Sequence, residues 1–542
     1  MKKWFLLCYC VSPLLLLAQS LPYQISIRDK GALPDGISNN AKAIQQAIDD
    51  VHAHGGGTVL VPRGRFASGP IELKSNVTLH LHPEAVLLAS IHILDYKQQG
   101  KTLPLIRANN ARHIRITGTG LIDGQADYLM ADVFAQLRAG TIQDKEWKEI
   151  GNGLRKRPGE ESRPKLIELN TCSNVTIKHI RLQNGTSWIQ DYRQCDTVTI
   201  DSIDVFSNTY WNNDGLDITD SKNVRITNCR INAADDAICL KSENRNSRCE
   251  NVYIANCVLR SSANAVKLGT ASWGGFANIQ IEDIKVYDTY RSVLALEAVD
   301  GGVLENVVAR RMEAVNTGNA LLIRLGHRNK DSVYSKLRNV QVYDVTVHVP
   351  AGKPDAGYTM EGPLLKYPPG YQRSAANPFK SVSPWNHSSI DSSAVIYPHN
   401  VFPSSITGLP GHYPENIHLE NIQIHYAGGG DSTVQYFPLD SFTNITEAET
   451  AYPEFSMFGE LPAWGLYVRH VKDLRLHNVQ LHQQQKDYRI AVLMDDVHKL
   501  SVNKLSIPAC EALPVMLLHQ VRNYTLDHIE LPVSKKVGLR IQ

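Results

Sequence analysis

Asn223-Val-Arg-Ile-Thr-Asn-Cys229 and Asn251-Val-Tyr-Ile-Ala-Asn-Cys257 follow one pattern: a polar residue, alternating apolar positions, then a turn former. The same pattern precedes them in Asn174-Val-Thr-Ile-Lys-His-Ile180 and Thr197-Val-Thr-Ile-Asp-Ser-Ile203, and follows them in Asn278-Ile-Gln-Ile-Glu-Asp-Ile284. These runs begin at 174, 197, 223, 251 and 278, at intervals of 23, 26, 28 and 27 residues. Alternation of period two makes each run a strand. Short strands at this interval, with no helices between them and few hairpin dipeptides, predict a solenoid of stacked parallel coils. Asn339-Val-Gln-Val-Tyr-Asp-Val345, Asn416-Ile-His-Leu-Glu-Asn-Ile422, Leu474-Arg-Leu-His-Asn-Val479 and Leu500-Ser-Val-Asn-Lys-Leu505 carry the series to the C-terminus. The fold class is therefore all-β, a right-handed parallel β-helix.

A solenoid needs its open ends covered. Within the N-terminal region 21–70, Asn40 to His54 carries Ala43, Ile44, Ala47, Ile48 and Val51 at helical spacing, with Asn39 or Asn40 as N-cap and Gly55-Gly56-Gly57 as the stop. This helix is expected to cap the first coil. Two stretches break the period. Asp127 to Arg163 is charged and partly helical in pattern. Pro350 to Pro414 is rich in Pro, Gly, Ser and aromatics, including Tyr367, Tyr371, Trp385, Tyr397 and Phe402, and reads as a loop walling a cleft. Residues 21–542 are otherwise expected to form one domain.

The first twenty residues read as a secretory signal. Lys2 and Lys3 precede an apolar run from Trp4 to Leu17, and Ala18-Gln19-Ser20 supplies small residues before a cut. That run is too short to span a bilayer, so the expectation is a secreted or periplasmic protein without a membrane span. A net charge of +2, with 43% hydrophobic and 20% charged residues, fits a globular chain and argues against a nucleic-acid partner. The expected assembly is a monomer. Among the cysteines, Cys172 and Cys195 hold equivalent repeat positions, as do Cys229 and Cys257. Stacked about 4.8 Å apart, each pair is either a thiol ladder or a disulfide, with the ladder favoured. No Cys/His spacing suggests a metal site, and no metal or cofactor is expected.

The densest chemistry lies in Asn212-Asn213-Asp214-Gly215-Leu216-Asp217 and Ala234-Asp235-Asp236-Ala237. Asp214 precedes the Asp pair by 21 and 22 residues, nearly one coil, which brings three carboxylates onto one patch. Crowded like charges raise at least one pKa, leaving a protonated acid beside ionised bases. Hydrolysis of a glycosidic bond needs that pairing. Turn formers or a Ca²⁺ site are the competing readings of the same residues.

With these motifs the chain resembles the polygalacturonase family of glycoside hydrolases, family 28. The resemblance runs through Asp29 to Gly36, Ala43-Ile44-Gln45, Gly55 to Pro62, Arg163 to Ile167, Thr186-Ser187-Trp188 and Cys195. The family's Asn-Thr-Asp and Asp-Asp motifs match Asn212-Asn213-Asp214 and Asp235-Asp236. The resemblance implies a polysaccharide or oligosaccharide substrate, pectin or a relative, cleaved with inversion. Asp235 would be the general acid, and Asp214 with Asp236 would activate water. Two family motifs are missing. The Gly-His-Gly position falls on Ala263-Asn264-Ala265, and the Arg-Ile-Lys motif, which grips the galacturonate carboxylate, falls near Ala295-Leu296-Glu297. Glu297 would repel that carboxylate. The substrate-binding candidates are Asn212, Asn264, Lys267, Glu297, Arg324 and Arg328, with the lysine and arginines as replacement cations. An exo-acting hydrolase is the leading expectation; a polysaccharide lyase and a non-catalytic glycan binder are the alternatives.

Overall fold

A computed structural model describes residues 23–145, 147, 158–210, 212–355, 358, 402–433 and 436–542. The expected signal segment 1–20, and Tyr367, Tyr371, Trp385 and Tyr397 of the long insertion, lie outside the described residues. Among the described residues no helix is long and apolar enough to cross a membrane.

The chain winds as a right-handed parallel β-helix. Each coil pairs in parallel with the next, and the repeated motifs are in register: Val198 on Val224 on Val252 on Ile279, and Ile200 on Ile226 on Ile254 on Ile281. These inward side chains are fully or nearly fully buried and form one continuous core. The register is fixed because a slip of one residue would turn this apolar column to solvent.

The Asn that opens each motif has a conformational reason. Asn223, Asn251, Asn278, Asn306, Asn339 and Asn416 all sit at φ between 53° and 57°, the left-handed region that a short polar side chain tolerates. Each side-chain amide donates to the residue one coil back. Asn251 bonds Asn223 at 3.1 Å, Asn278 bonds Asn251 at 3.1 Å, Asn306 bonds Asn278 at 3.1 Å and Asn339 bonds Asn306 at 3.0 Å.

The predicted cap is the helix Ala41–Ala53, which buries Ile44, Ala47, Ile48 and Val51. Of the two N-cap candidates, the Asn39 side chain takes the Ala41 amide at 3.1 Å, while Asn40 turns inward to Leu33 and Ala67. The helix Ala126–Ala139 opens the first irregular stretch. The long insertion is shorter than expected at its far end. The strand Ser404–Thr407 is buried throughout and pairs with Leu322, Ile323 and Arg324, so coil structure resumes before Pro414. Cys172, Cys195, Cys229 and Cys257 are buried free thiols, as the ladder reading anticipated.

Candidate active site

The site is built on the successive strands Leu216–Thr219, Ile238–Ser242 and Val266–Ser272, with the turns that precede them. Every residue of the first two is buried, so their outward side chains form the floor of a covered surface. One register column runs Glu168, Asp191, Asp217, Cys239, Lys267, Ala295. Polar residues pointing away from the core of a fully covered strand must find partners in each other.

Asp214 and Asp236 face one another across adjacent coils, with carboxylate oxygens within 4.8 Å. The turns are fixed by Asn213, whose side chain donates to the carbonyls of Gly185 and Ser187 at 2.9 and 2.7 Å and accepts from the Tyr210 amide. Lys241 donates to Asp214 at 2.9 Å and also to Asp217. Burial pushes the Asp214 carboxyl up, and the Lys241 ammonium opposes that rise while Asp236 adds to it.

Asp236 is held by three donors: the Asn264 amide N–H at 3.0 Å, the Asn264 side chain at 2.8 Å and Lys267 Nζ at 3.0 Å. Burial alone would raise its pKa, but Lys267, Lys241 and Arg291, with the Asn264 bond, bring it down to about 2. Its chain neighbour behaves oppositely. Asp235 is partly exposed and its carboxylate accepts the Asp236 amide at 3.0 Å. Desolvation, then the charges of Asp214 and Asp236, push Asp235 up to about 8, against the pull of Arg291 and Lys267. Two adjacent carboxyls are thereby separated into an acid and a base, the arrangement acid–base catalysis requires.

The sequence candidates meet different fates. Asn264 and Lys267 join the carboxylates directly. Asn212 accepts from Arg163 at 2.9 Å, beside the turn that carries Asp214. Glu297 is completely buried, 4.0 Å from Lys267, with one oxygen taking the Thr270 hydroxyl at 3.0 Å; burial raises it to about 7. Arg324 is buried, and its guanidinium is spent on the carbonyls of Gly408, Glu447 and Ala448. Arg328 likewise grips Asp300 through two bonds of 3.0 and 2.9 Å. Both tie down the walls.

Several participants escaped the sequence reading. Lys241 is the central cation, and its Nζ stands 4.1 Å from the centre of the Trp188 ring. Lys165 stands 4.4 Å from the same ring while paired with Asp191 at 2.6 Å. Arg291 is buried against Glu454 at 3.4 Å. Tyr452 accepts from Lys267 at 2.9 Å. Tyr452 and Glu454 belong to residues 427–462, a further excursion from the coil between the strands Glu415–Tyr426 and Ala463–Gln483. Register could have found Lys241, which lies one coil beyond Thr219; nothing local in the sequence marks Tyr452.

Asp214, Asp236 and Cys239 are the one group among the described residues whose donor atoms cluster closely enough for a metal ion. The set does not suit a cation. Lys241 and Lys267 already supply the positive charge, and burial keeps the Cys239 thiol well above its ordinary range and protonated.

The chain belongs to Glycosyl hydrolases family 28, whose sequence profile matches residues 53–353. It is 26% identical over 318 residues to a probable polygalacturonase of Vitis vinifera, spanning 54% of this chain and 60% of that protein. It is 24% identical over 374 residues to an exo-poly-alpha-D-galacturonosidase of Dickeya chrysanthemi, spanning 60% of this chain and 62% of that one. The chain thus spans about three fifths of the length of these relatives. Among solved structures, the family 28 exopolygalacturonase of Yersinia enterocolitica superposes with a TM-score of 0.55 at 19% identity, covering 95% of this chain and 80% of that one. The hyperthermoactive exopolygalacturonase of Thermotoga maritima gives 0.53 at 21% identity, covering 74% and 87%.

Proposed function

We propose that this chain is an exported glycoside hydrolase that cleaves pectin or a related polysaccharide with inversion, from chain ends, as a monomer. The observation that carries the reading is the opposed titration of neighbours, Asp235 raised to about 8 and Asp236 lowered to about 2. At neutral pH Asp235 holds a proton for the leaving oxygen. Asp214 and Asp236, no more than 4.8 Å apart, are close enough for one water to hydrogen-bond to both. That water attacks the anomeric carbon as Asp235 protonates the departing sugar, and attack from the opposite face inverts the configuration.

Family membership and the exo-acting relatives support the substrate class and the attack mode. The described part of the excursion 427–462 adds to this. Carbonyls of Glu447 and Ala448 pin to Arg324, Tyr452 to Lys267 and Glu454 to Arg291, so this segment walls one side of the site. A lyase is disfavoured because it needs a neutral lysine or a free arginine as base. The attraction of Asp214 and Asp217 outweighs burial and keeps Lys241 protonated, and that of Asp236 and Glu297 does the same for Lys267.

The test is product analysis on defined pectic oligosaccharides, with the anomer followed by NMR. One small sugar released from the outset, with inverted configuration, supports the reading; an early ladder of mixed oligomers contradicts exo action, and an unsaturated product contradicts hydrolysis. Asp235→Asn should lower turnover by about 10²- to 10⁴-fold without unfolding the chain.

A further inference from the structure

The cations around the carboxylates are engaged by the protein's own groups. Lys241 serves Asp214 and Asp217. Lys267 serves Asp236 and the Tyr452 hydroxyl, with Glu297 at 4.0 Å. Arg291 pairs with Glu454 and Arg328 with Asp300. A substrate carboxylate arriving here would have to displace a buried protein acid from its partner, leaving that acid unpaired, or accept like-charge repulsion. Glu297, buried behind Lys267, deepens the negative potential whenever it ionises.

What faces solvent at this point is an aromatic ring. Tyr452 is 39% exposed, whereas Lys267 beneath it is 3% exposed. The hydroxyl of Tyr452 fixes it to Lys267, and its ring centre lies 5.2 Å from Nζ. A tethered, half-exposed ring offers an apolar face to sugar C–H groups at little entropic cost, and it screens the lysine from solution.

We infer that the sugar residue bound against Tyr452, beside Asp236, is uncharged: the subsite takes a neutral sugar or a uronate whose carboxyl is esterified. This inference rests on the hydrolase reading and names the substrate class of the same site. Tyr452 is then a specificity determinant, and the bond cleaved is one flanked by an uncharged residue.

The experiment compares kcat/KM on three probes: oligogalacturonides as free acids, the same oligomers fully methyl-esterified, and neutral-sugar oligosaccharides from pectic side chains. An advantage of about tenfold or more for either uncharged probe over the free acid, seen in KM, supports the inference, and the better probe identifies the source. Free acids cleaved as well as or better than both would overturn it while leaving the hydrolase reading intact. Failure of all pectic probes would overturn the hydrolase reading and this inference with it. Tyr452→Ala should uncover Lys267 and shrink the preference for the uncharged probe, while Tyr452→Phe, keeping the ring, should preserve it. A loss confined to kcat in Tyr452→Ala, with the preference unchanged, would overturn the assignment of Tyr452.

Discussion

Two stacks of polar side chains run along this solenoid, and they handle the same geometry in opposite ways. At one corner Asn223, Asn251, Asn278, Asn306 and Asn339 repeat coil after coil, each amide giving to the one before at 3.0 to 3.1 Å. An amide both donates and accepts, so identical neighbours satisfy one another and the column can extend indefinitely. On the site face the stacked groups are carboxylates, which when ionised only accept. Asp191 sits on Asp217, and Asp214 faces Asp236. Stacking there creates a conflict that must be relieved by inserted lysines or by retained protons. The structure uses both: Lys241 and Lys267 are inserted, and Asp235 keeps a proton up to about 8. A repeat that stabilises at one corner becomes reactive at another through a change of side chain alone.

Removing Lys241 should expose that difference most strongly. Lys241→Met leaves Asp214 and Asp217 buried without their shared cation, at a cost of about 3–5 kcal/mol in denaturant unfolding, with loss of turnover. Asn278→Ala breaks the neutral ladder at its middle. It removes one amide donor and one acceptor and places Ala in the left-handed region, for about 1–3 kcal/mol and no change in kcat/KM. If the two substitutions cost the same, the contrast between the stacks fails.

The pH response should separate the stacks next. The rate should decline as pH rises through about 8, where Asp235 loses its proton, and the Asn ladder contributes nothing to that limb. Stability should follow the same group. Between the ordinary carboxylate value of 3.8 and about 8, the folded chain keeps a proton that the unfolded chain releases, so Asp235 lowers stability progressively as pH rises. Asp235→Asn should therefore melt at higher temperature than the unsubstituted chain at pH 8 and at nearly the same temperature at pH 4. A gap that does not widen with pH would contradict the raised titration of Asp235.

The fold was legible because the coil period places Val and Ile at fixed offsets from an Asn, and both residue types have physical reasons to recur. The carboxylates were legible because the 21- and 22-residue offsets match a coil. The cations were harder. Arg324 and Arg328 are as basic as Lys241 in the sequence, yet the first is committed to backbone carbonyls and the second to Asp300. Register alone does not separate them, since Arg324 lies one coil beyond Glu297 just as Lys241 lies one coil beyond Thr219; what differs is how many coils lie between each cation and Asp214. Tyr452 lies more than 180 residues from Lys267 in a stretch without period, and its arrival at the site is a purely tertiary outcome.

The central claim is that Asp235 is the protonated member of the carboxylate group while Asp236 is ionised. Infrared difference spectroscopy between the unsubstituted chain and Asp235→Asn, at about pH 6, reads this without any substrate. The expected result is that the substitution removes a protonated carboxyl C=O band and leaves the carboxylate bands unchanged. Loss of a carboxylate band instead would show Asp235 ionised and would contradict its role as the acid.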